Sequence, residues 1–232
     1  MNLTSADLDV LSQWDTPTIC NALELTSPHR RGYGYTVKAF SCLDPGAKPI
    51  VGYARTARIR ASAPDLSSSK GMAGRIPYYE YIASGNNGPT IVVIEDLDAH
   101  AAFGAFWGEV HTAVHKGLGA LGVVTNGSYR DVADSAPGFQ VMGGQVGPSH
   151  AFVHAVDFGG SVTVHGMVVE HNDVIHADLH GAVVIPSDVV KDIPEAVAEM
   201  NRREAGILAA ARSADFSIDK LKAVISGDGD IH

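Results

Sequence analysis

The chain is poor in cysteine, in basic residues and in long apolar runs, and each shortage removes a class of function. Its two cysteines, Cys20 and Cys42, lie far apart with no CxxC pair, so neither a disulfide framework nor a cysteine zinc site is indicated. Lysine and arginine total 17 against 26 aspartates and glutamates, a net charge of −9. A protein that grips a phosphate backbone needs a basic face, so no nucleic-acid partner is expected, although a few local arginines suffice for a small anion. No apolar run approaches the roughly 18 residues that span a membrane. The opening Met-Asn-Leu-Thr-Ser-Ala-Asp is polar, unlike a secretory signal, and a cytoplasmic setting without a membrane partner is expected. The seven lysines, at 38, 48, 70, 116, 191, 220 and 222, fall mostly in polar or helical surface contexts and none ends an apolar strand. Imine chemistry, which needs a desolvated lysine, is therefore disfavoured.

What is present suits an α/β enzyme. At 232 residues and 45% apolar, the chain can bury a substantial core as one large domain or two small ones. Residues 5–24 read as helical, with Asp15 or Thr16 as a cap. Ile50–Arg60 alternates apolar and polar residues like a half-exposed strand, and 61–75 reads as a long polar loop. A helix is expected near Tyr78–Ala83, a turn at Gly85–Gly88 and a buried strand at 90–95. A helix follows at 108–117, with an apolar stripe at 110, 113, 114 and 117, then a strand at 121–125 and a short helix at 132–136. Strands are expected at 141–146, 153–158, 161–169 and 173–185, and a helix over 186–211.

Two loops carry the chemistry. Asn126-Gly-Ser-Tyr-Arg130-Asp131 follows the apolar run Leu121–Thr125, placing an anion-binding fork and a hard metal ligand at a strand's carboxyl end, where open α/β sheets bind ligands. Twenty-one residues before Arg130, Gly108-Glu109-Val110-His111 opens a helix after the strand candidate Thr90–Ile94. Arg130 suits a carboxylate, and Asp131 suits Mg²⁺ or Mn²⁺, which keep several waters. Such a cation beside an arginine polarises the keto group of a 2-oxo acid. Glu109 either faces the helix dipole or orients metal-bound water, and the free amides of residues 109–111 can take the carboxylate.

Two further patterns carry less. Gly117-Leu-Gly119-Ala-Leu-Gly122 spells GxGxxG but follows a helix and precedes a strand, the reverse of the dinucleotide order, so a helix C-cap is expected. His176, Asp178 and His180 share a face if extended, but Asn172-Asp173 and Gly181 around them favour a turn with satisfied polar side chains over a metal site.

Together, Gly108-Glu109, Arg130-Asp131, Gly138-Phe139-Gln-Val141 and Asn172-Asp173…His176-Ala-Asp178-Leu-His180-Gly181…Pro186 resemble the 4-hydroxy-4-methyl-2-oxoglutarate aldolase family. That family also contains the regulators of ribonuclease activity. Asp15–Leu23 and Val51–Ala57 fit its opening pattern. The resemblance covers about residues 10–210 of a single domain, 1–232, with 226–232 frayed. It implies a β/β/α swivelling-domain fold with N-terminal helices and a C-terminal helix, assembled as a homotrimer or hexamer with sites between subunits. The implied reaction is a divalent-metal-dependent (Mg²⁺ or Mn²⁺) retro-aldol cleavage of a 4-hydroxy-2-oxo acid, or oxaloacetate decarboxylation, through a metal-stabilised pyruvate enolate. By the same resemblance Asp131 is the metal ligand, Arg130 the carboxylate binder and Glu109 the acid near the metal waters. Gly108, Val110 and His111 bind substrate, and Glu204, or else Glu199, reaches in from a neighbouring subunit. Alternatives are a non-catalytic ring that binds a ribonuclease and an isomerase or lyase acting on a sugar-derived acid. The chain departs from the family at Asn126 and Asn21, where Asp is usual, and at His111, where an aliphatic residue is usual. His111 could act in acid–base chemistry or touch a substrate tail, and Trp107, His150 and His154 enrich the site region in polar aromatics.

Overall fold

The structure, a computed structural model, describes residues 3–65, 74–85 and 88–228. Two helices open the chain, α1 (Ser5–Asp9) and α2 (Thr16–Thr26). Thr4 and Asp7 form a reciprocal capping box on α1, and the Asp15 carboxylate accepts from Thr18 N to cap α2, which satisfies amides that a helix start leaves orphaned.

A curled eight-stranded sheet follows in the order β1-β7-β5-β3-β2-β12-β13, with β9 also pairing with β2. Its strands are β1 (Ser41–Cys42), β2 (Ile50–Arg60), β3 (Thr90–Asp96), β5 (Ala120–Thr125), β7 (Gln140–Gly143), β9 (His154–Phe158), β12 (Val174–Asp178) and β13 (Gly181–Ile185). A separate three-stranded sheet holds β4 (Ala105–Trp107), β6 (Ser128–Tyr129) and β8 (Gln145–Val146), and β10 (Val162–Val164) and β11 (Met167–Val169) form a hairpin. Helices α3 (Ile76–Ala83), α4 (Glu109–Gly117), α5 (Ile193–Ala211) and α6 (Ile218–Asp228) complete the fold.

The parallel strands β2, β3, β5 and β7 form the centre of the sheet. Along β3 the period-two alternation of a strand sends Ile91 and Val93 into the layer shared with the β10–β11 hairpin, and Val92 and Ile94 into the layer beneath α3. A third apolar cluster joins α1, α2 and α5 to the outer strands through Leu8, Ile19, Val183 and Val197. Strands covered on both faces read as continuous apolar runs, and Thr90–Ile94 is one.

Several expectations need correction. β2 is not half-exposed: it lies inside the sheet, and its Arg55 is only 4% exposed, donating to Asn172 Oδ1 and Ala54 O. The apolar stripe expected on α4 faces outward, with Val110 60% exposed, while the buried residues are Thr112 and His115. Their polar atoms are satisfied inside: Thr112 Oγ1 donates to Glu109 O, and His115 meets Tyr78 Oη and His111 O. Residues 132–136 form turns rather than a helix, with Asp134 N donating to Asp131 O in a single turn. The run 141–146 splits between two sheets, each long strand near the C-terminus is a hairpin, and the helix expected from 186 begins at Ile193. Residues 226–228 belong to α6, whereas 66–73 of the expected loop, 86–87 of the expected turn and 229–232 of the expected frayed end lie outside the described residues. The GxGxxG run is a helix end, with Gly119 at φ +92 just past α4. Among the described residues, no helix is long and apolar enough to cross a membrane.

Candidate active site

The small sheet brings the two chemical loops together. β6 runs parallel to β4, with Ser128 opposite Ala105 and Tyr129 opposite Trp107. Arg130 N then donates to Trp107 O at 2.9 Å, which sets Arg130 and Asp131 beside the N-terminus of α4. The Gly108 loop thus follows β4 rather than β3, and β4 was not foreseen. Asp131 sits in the left-handed region at φ +54, which Asp tolerates better than most residues. This turns its carboxylate back toward α4: Oδ2 accepts from Glu109 N at 3.3 Å and lies 3.5 Å from Arg130 Nε.

The result is a cleft of about 370 Å³ that holds Gly108, Glu109, Val110, His111, Arg130 and Asp131 together. Arg75, Phe106 and His150 also line it. Of the three amides expected to face a ligand, that of Glu109 is taken by Asp131; those of Val110 and His111 meet no acceptor among the described residues. Asp131 Oδ1 and the terminal nitrogens of Arg130 are likewise without partners among the described residues. The Arg130–Asp131 pair is about a third exposed on each side, so it adds little to stability. Its open donors and acceptors face the cleft instead.

His111 is not suited to acid–base work. Burial, His115 and Arg75 push its pKa down to about 3, far from the near-neutral value a general base needs. It is a neutral imidazole whose Nε2 lies 3.1 Å from Arg75 Nη1. Trp107 is buried beneath the cleft and stacks on Phe139, and His154 lines an adjoining hollow. Asn126 ties strand ends together, its side chain bonding Asp96 N and Asp96 O. His176, Asp178 and His180 brace the N-terminal segment: His176 bonds Thr16 Oγ1 and Trp14 O, and Asp178 accepts from Thr16 N and His180 N. Among the described residues, no three His, Cys, Asp or Glu side chains converge as a metal cage. In the single chain Glu199 is held by Arg202 and Arg203, and Glu204 lines a different hollow, between α2 and α5. Arg75 and Phe106 escaped sequence reasoning; the only signal was that Arg75 ends a polar loop.

Below the cleft, burial lowers the pKa of His115 to about 4. The unfolded chain therefore binds its proton first, and stability falls as pH drops from about 6.5 toward 4. This one group can contribute a slope of up to about 1.4 kcal/mol per pH unit. Chemical denaturation of His115→Gln at pH 7, 6, 5 and 4.5 should show a flatter slope than the parent; an unchanged slope would discard this account of His115.

A sequence profile of the RraA-like family, described as Aldolase/RraA, matches residues 16–184. No curated protein matches in sequence. Among solved structures, an uncharacterized protein from Pseudomonas syringae pv. tomato is similar at TM-score 0.72 and 18% identity, over 97% of this chain and 96% of that one. RraAS2 from Streptomyces coelicolor, an unusual member of the RNase ES inhibitor RraA protein family, is similar at TM-score 0.67 and 19% identity, over 88% of this chain and 96% of that one. The RNA-processing inhibitor RraA from Thermus thermophilis gives TM-score 0.53 and 17% identity, over 71% and 90%. At such identities these structures show the shared fold alone. With the profile spanning most of the sequence and the fold in agreement, the chain belongs to the RraA-like family, which includes both aldolase-type lyases and ribonuclease regulators.

Proposed function

We propose that the protein is a divalent-metal-dependent lyase for small 2-oxo acids, cleaving a 4-hydroxy-2-oxo acid or decarboxylating oxaloacetate to release pyruvate. The observation that carries this is the meeting, in one cleft, of the open Arg130 fork, the Asp131 carboxylate and the free Val110 and His111 amides of α4. The donor set fits Mg²⁺ or Mn²⁺: one carboxylate with an unpartnered oxygen suits a cation that keeps most of its waters, and among the described residues no His, Cys, Asp or Glu cage of the kind zinc prefers is formed. Asp131 would hold the cation, which when bound polarises the 2-oxo group. Arg130 grips the C1 carboxylate through two parallel hydrogen bonds, and the Val110 and His111 amides at the positive end of α4 add to that grip. The exposed Glu109, at the edge of the cleft, orients water and moves a proton to or from the substrate.

Arg130→Lys tests the clamp. An ammonium cannot reproduce the planar fork, so KM for a 2-oxo acid should rise at least tenfold while kcat changes less. If both constants stay within about twofold, roughly 0.4 kcal/mol, Arg130 does not bind the carboxylate.

The reading includes a cytoplasmic homotrimer or hexamer in which α5 of a neighbouring subunit lends an acid, Glu204 or else Glu199. Glu204 lies outside its own chain's cleft, as a residue that serves a neighbour would. Mixed rings of Asp131→Ala and Glu204→Ala subunits should regain activity that neither has alone. No rescue after proven subunit exchange rules out the shared acid.

A second reading is a regulator that binds a ribonuclease, favoured by the likeness to two RraA proteins described as inhibitors of RNase ES and of RNA processing. A regulator has no need of the Asp131 carboxylate, so Asp131→Ala should leave ribonuclease binding intact. The intact Arg130, Asp131 and Glu109 in one cleft favour the enzyme.

A further inference from the structure

The cleft has a second cationic end. Arg75, at the N-cap of α3, lines it together with Arg130 and also borders the adjoining hollow. A guanidinium has no acceptor, so the 3.1 Å contact between Arg75 Nη1 and His111 Nε2 makes the imidazole the acceptor and puts its proton on Nδ1. The imidazole is held in turn by Phe106, with ring centroids 4.2 Å apart, and by Tyr79 at 6.3 Å. A neutral, tightly packed ring thus fixes one corner of the guanidinium and leaves its charge uncompensated.

No carboxylate lies within ion-pair distance of Arg75 among the described residues; Arg30, Arg55 and Arg212 share that state, but of these four only Arg75 lines the cleft. The nearby acids are engaged elsewhere. Asp157 is bound by Arg58, Asp131 faces Arg130 and Glu109 N, and Asp65 has an interaction of its own. Glu109 lines the same cleft without reaching Arg75. A positioned cation in a ligand-sized cleft, with an acceptor taking only one of its five N–H groups, leaves its fork for an incoming anion.

We infer that Arg75, held by His111, selects the substrate by its distal end, which carries a second acidic group. This rests on the reading of Arg130 as the clamp for the 2-oxo carboxylate. The cleft then takes a 2-oxo acid charged at both ends, one end on each arginine. Either a carboxylate or a phosphate offers the oxygen pair that Arg75 can grip, and the probes must separate them.

Isothermal titration with Mg²⁺ present tests this without turnover. The probes are 2-oxoglutarate and 2-oxopentanoate, which share a five-carbon chain and differ only in a distal carboxylate or methyl, and a 2-oxo acid of similar length with a distal phosphate. The parent should bind at least one doubly charged acid tenfold or more tighter than 2-oxopentanoate, and the tighter of the two names the distal group. Arg75→Gln should erase the preference while leaving 2-oxopentanoate affinity within twofold. Arg75→Lys, which keeps the charge and loses the fork, should retain part of it. A parent without the preference, or an Arg75→Gln protein that keeps it, overturns the role of Arg75 alone. If the parent binds none of the three, the 2-oxo acid reading itself falls, and this inference with it.

Discussion

The Asp131→Asn variant should fold like its parent and lose about 10³-fold in turnover, since one carboxylate beside a cation supplies several kcal/mol of charge stabilisation. The substitution preserves shape. The carboxylate is about a third exposed, its contacts to Glu109 N and Arg130 Nε are long, and Asn tolerates the positive φ of residue 131 nearly as well as Asp. Melting temperature should therefore change little while Mn²⁺ affinity, read by electron paramagnetic resonance of the free ion, drops. A variant that keeps full turnover, or that loses it only because it unfolds, would remove Asp131 from the chemistry.

Gly108→Ala should lower kcat/KM by about 10²-fold, the scale of damage when a reacting group is displaced by about 1 Å. A Cβ at Gly108 would lie 2.5 Å from Asp131 Oδ2 and 3.3 Å from Arg130 Cγ. The first distance is closer than real Cβ contacts allow, so the carboxylate must swing away. The backbone at Gly108 is extended, φ −172, so the loss is one of space and not of backbone freedom. Only short side-chain movements are needed, so the fold should survive, and circular dichroism with pyruvate-release kinetics would separate the two effects. Kinetics within twofold of the parent would show that Asp131 is not held where the chemistry needs it.

Much of the fold was legible because its signals are local. Thr90–Ile94 is a continuous apolar run and became a central strand buried on both faces. The Asp15 cap and the turn beyond α4 follow from residue chemistry that acts within a few positions. The pairing of Gly108-Glu109 with Arg130-Asp131 was legible as two loops. The structure shows how they meet: through β4, β6 and β8, strands of two or three residues too short to display any period. α4 misled for a different reason. Its buried face holds Thr112 and His115, whose polar atoms are satisfied by Tyr78 and by backbone, so apolar periodicity pointed to the wrong side. Ile50–Arg60 misled in the same way, because Arg55 and Thr56 look solvent-facing yet are buried, Arg55 bonding Asn172 and Thr56 meeting the Tyr81 hydroxyl. Arg75 and the neutral state of His111 depend on side chains meeting across the fold, which no spacing encodes.

The central claim, a cation-assisted lyase acting at the Arg130–Asp131 cleft, is tested most directly by pyruvate release from a panel of 4-hydroxy-2-oxo acids and oxaloacetate. Each acid is assayed with Mg²⁺, with Mn²⁺ and with EDTA, and corrected for the rate without protein. The account predicts turnover of at least one acid that EDTA abolishes and added cation restores. No turnover across the panel, or turnover indifferent to the chelator, contradicts it.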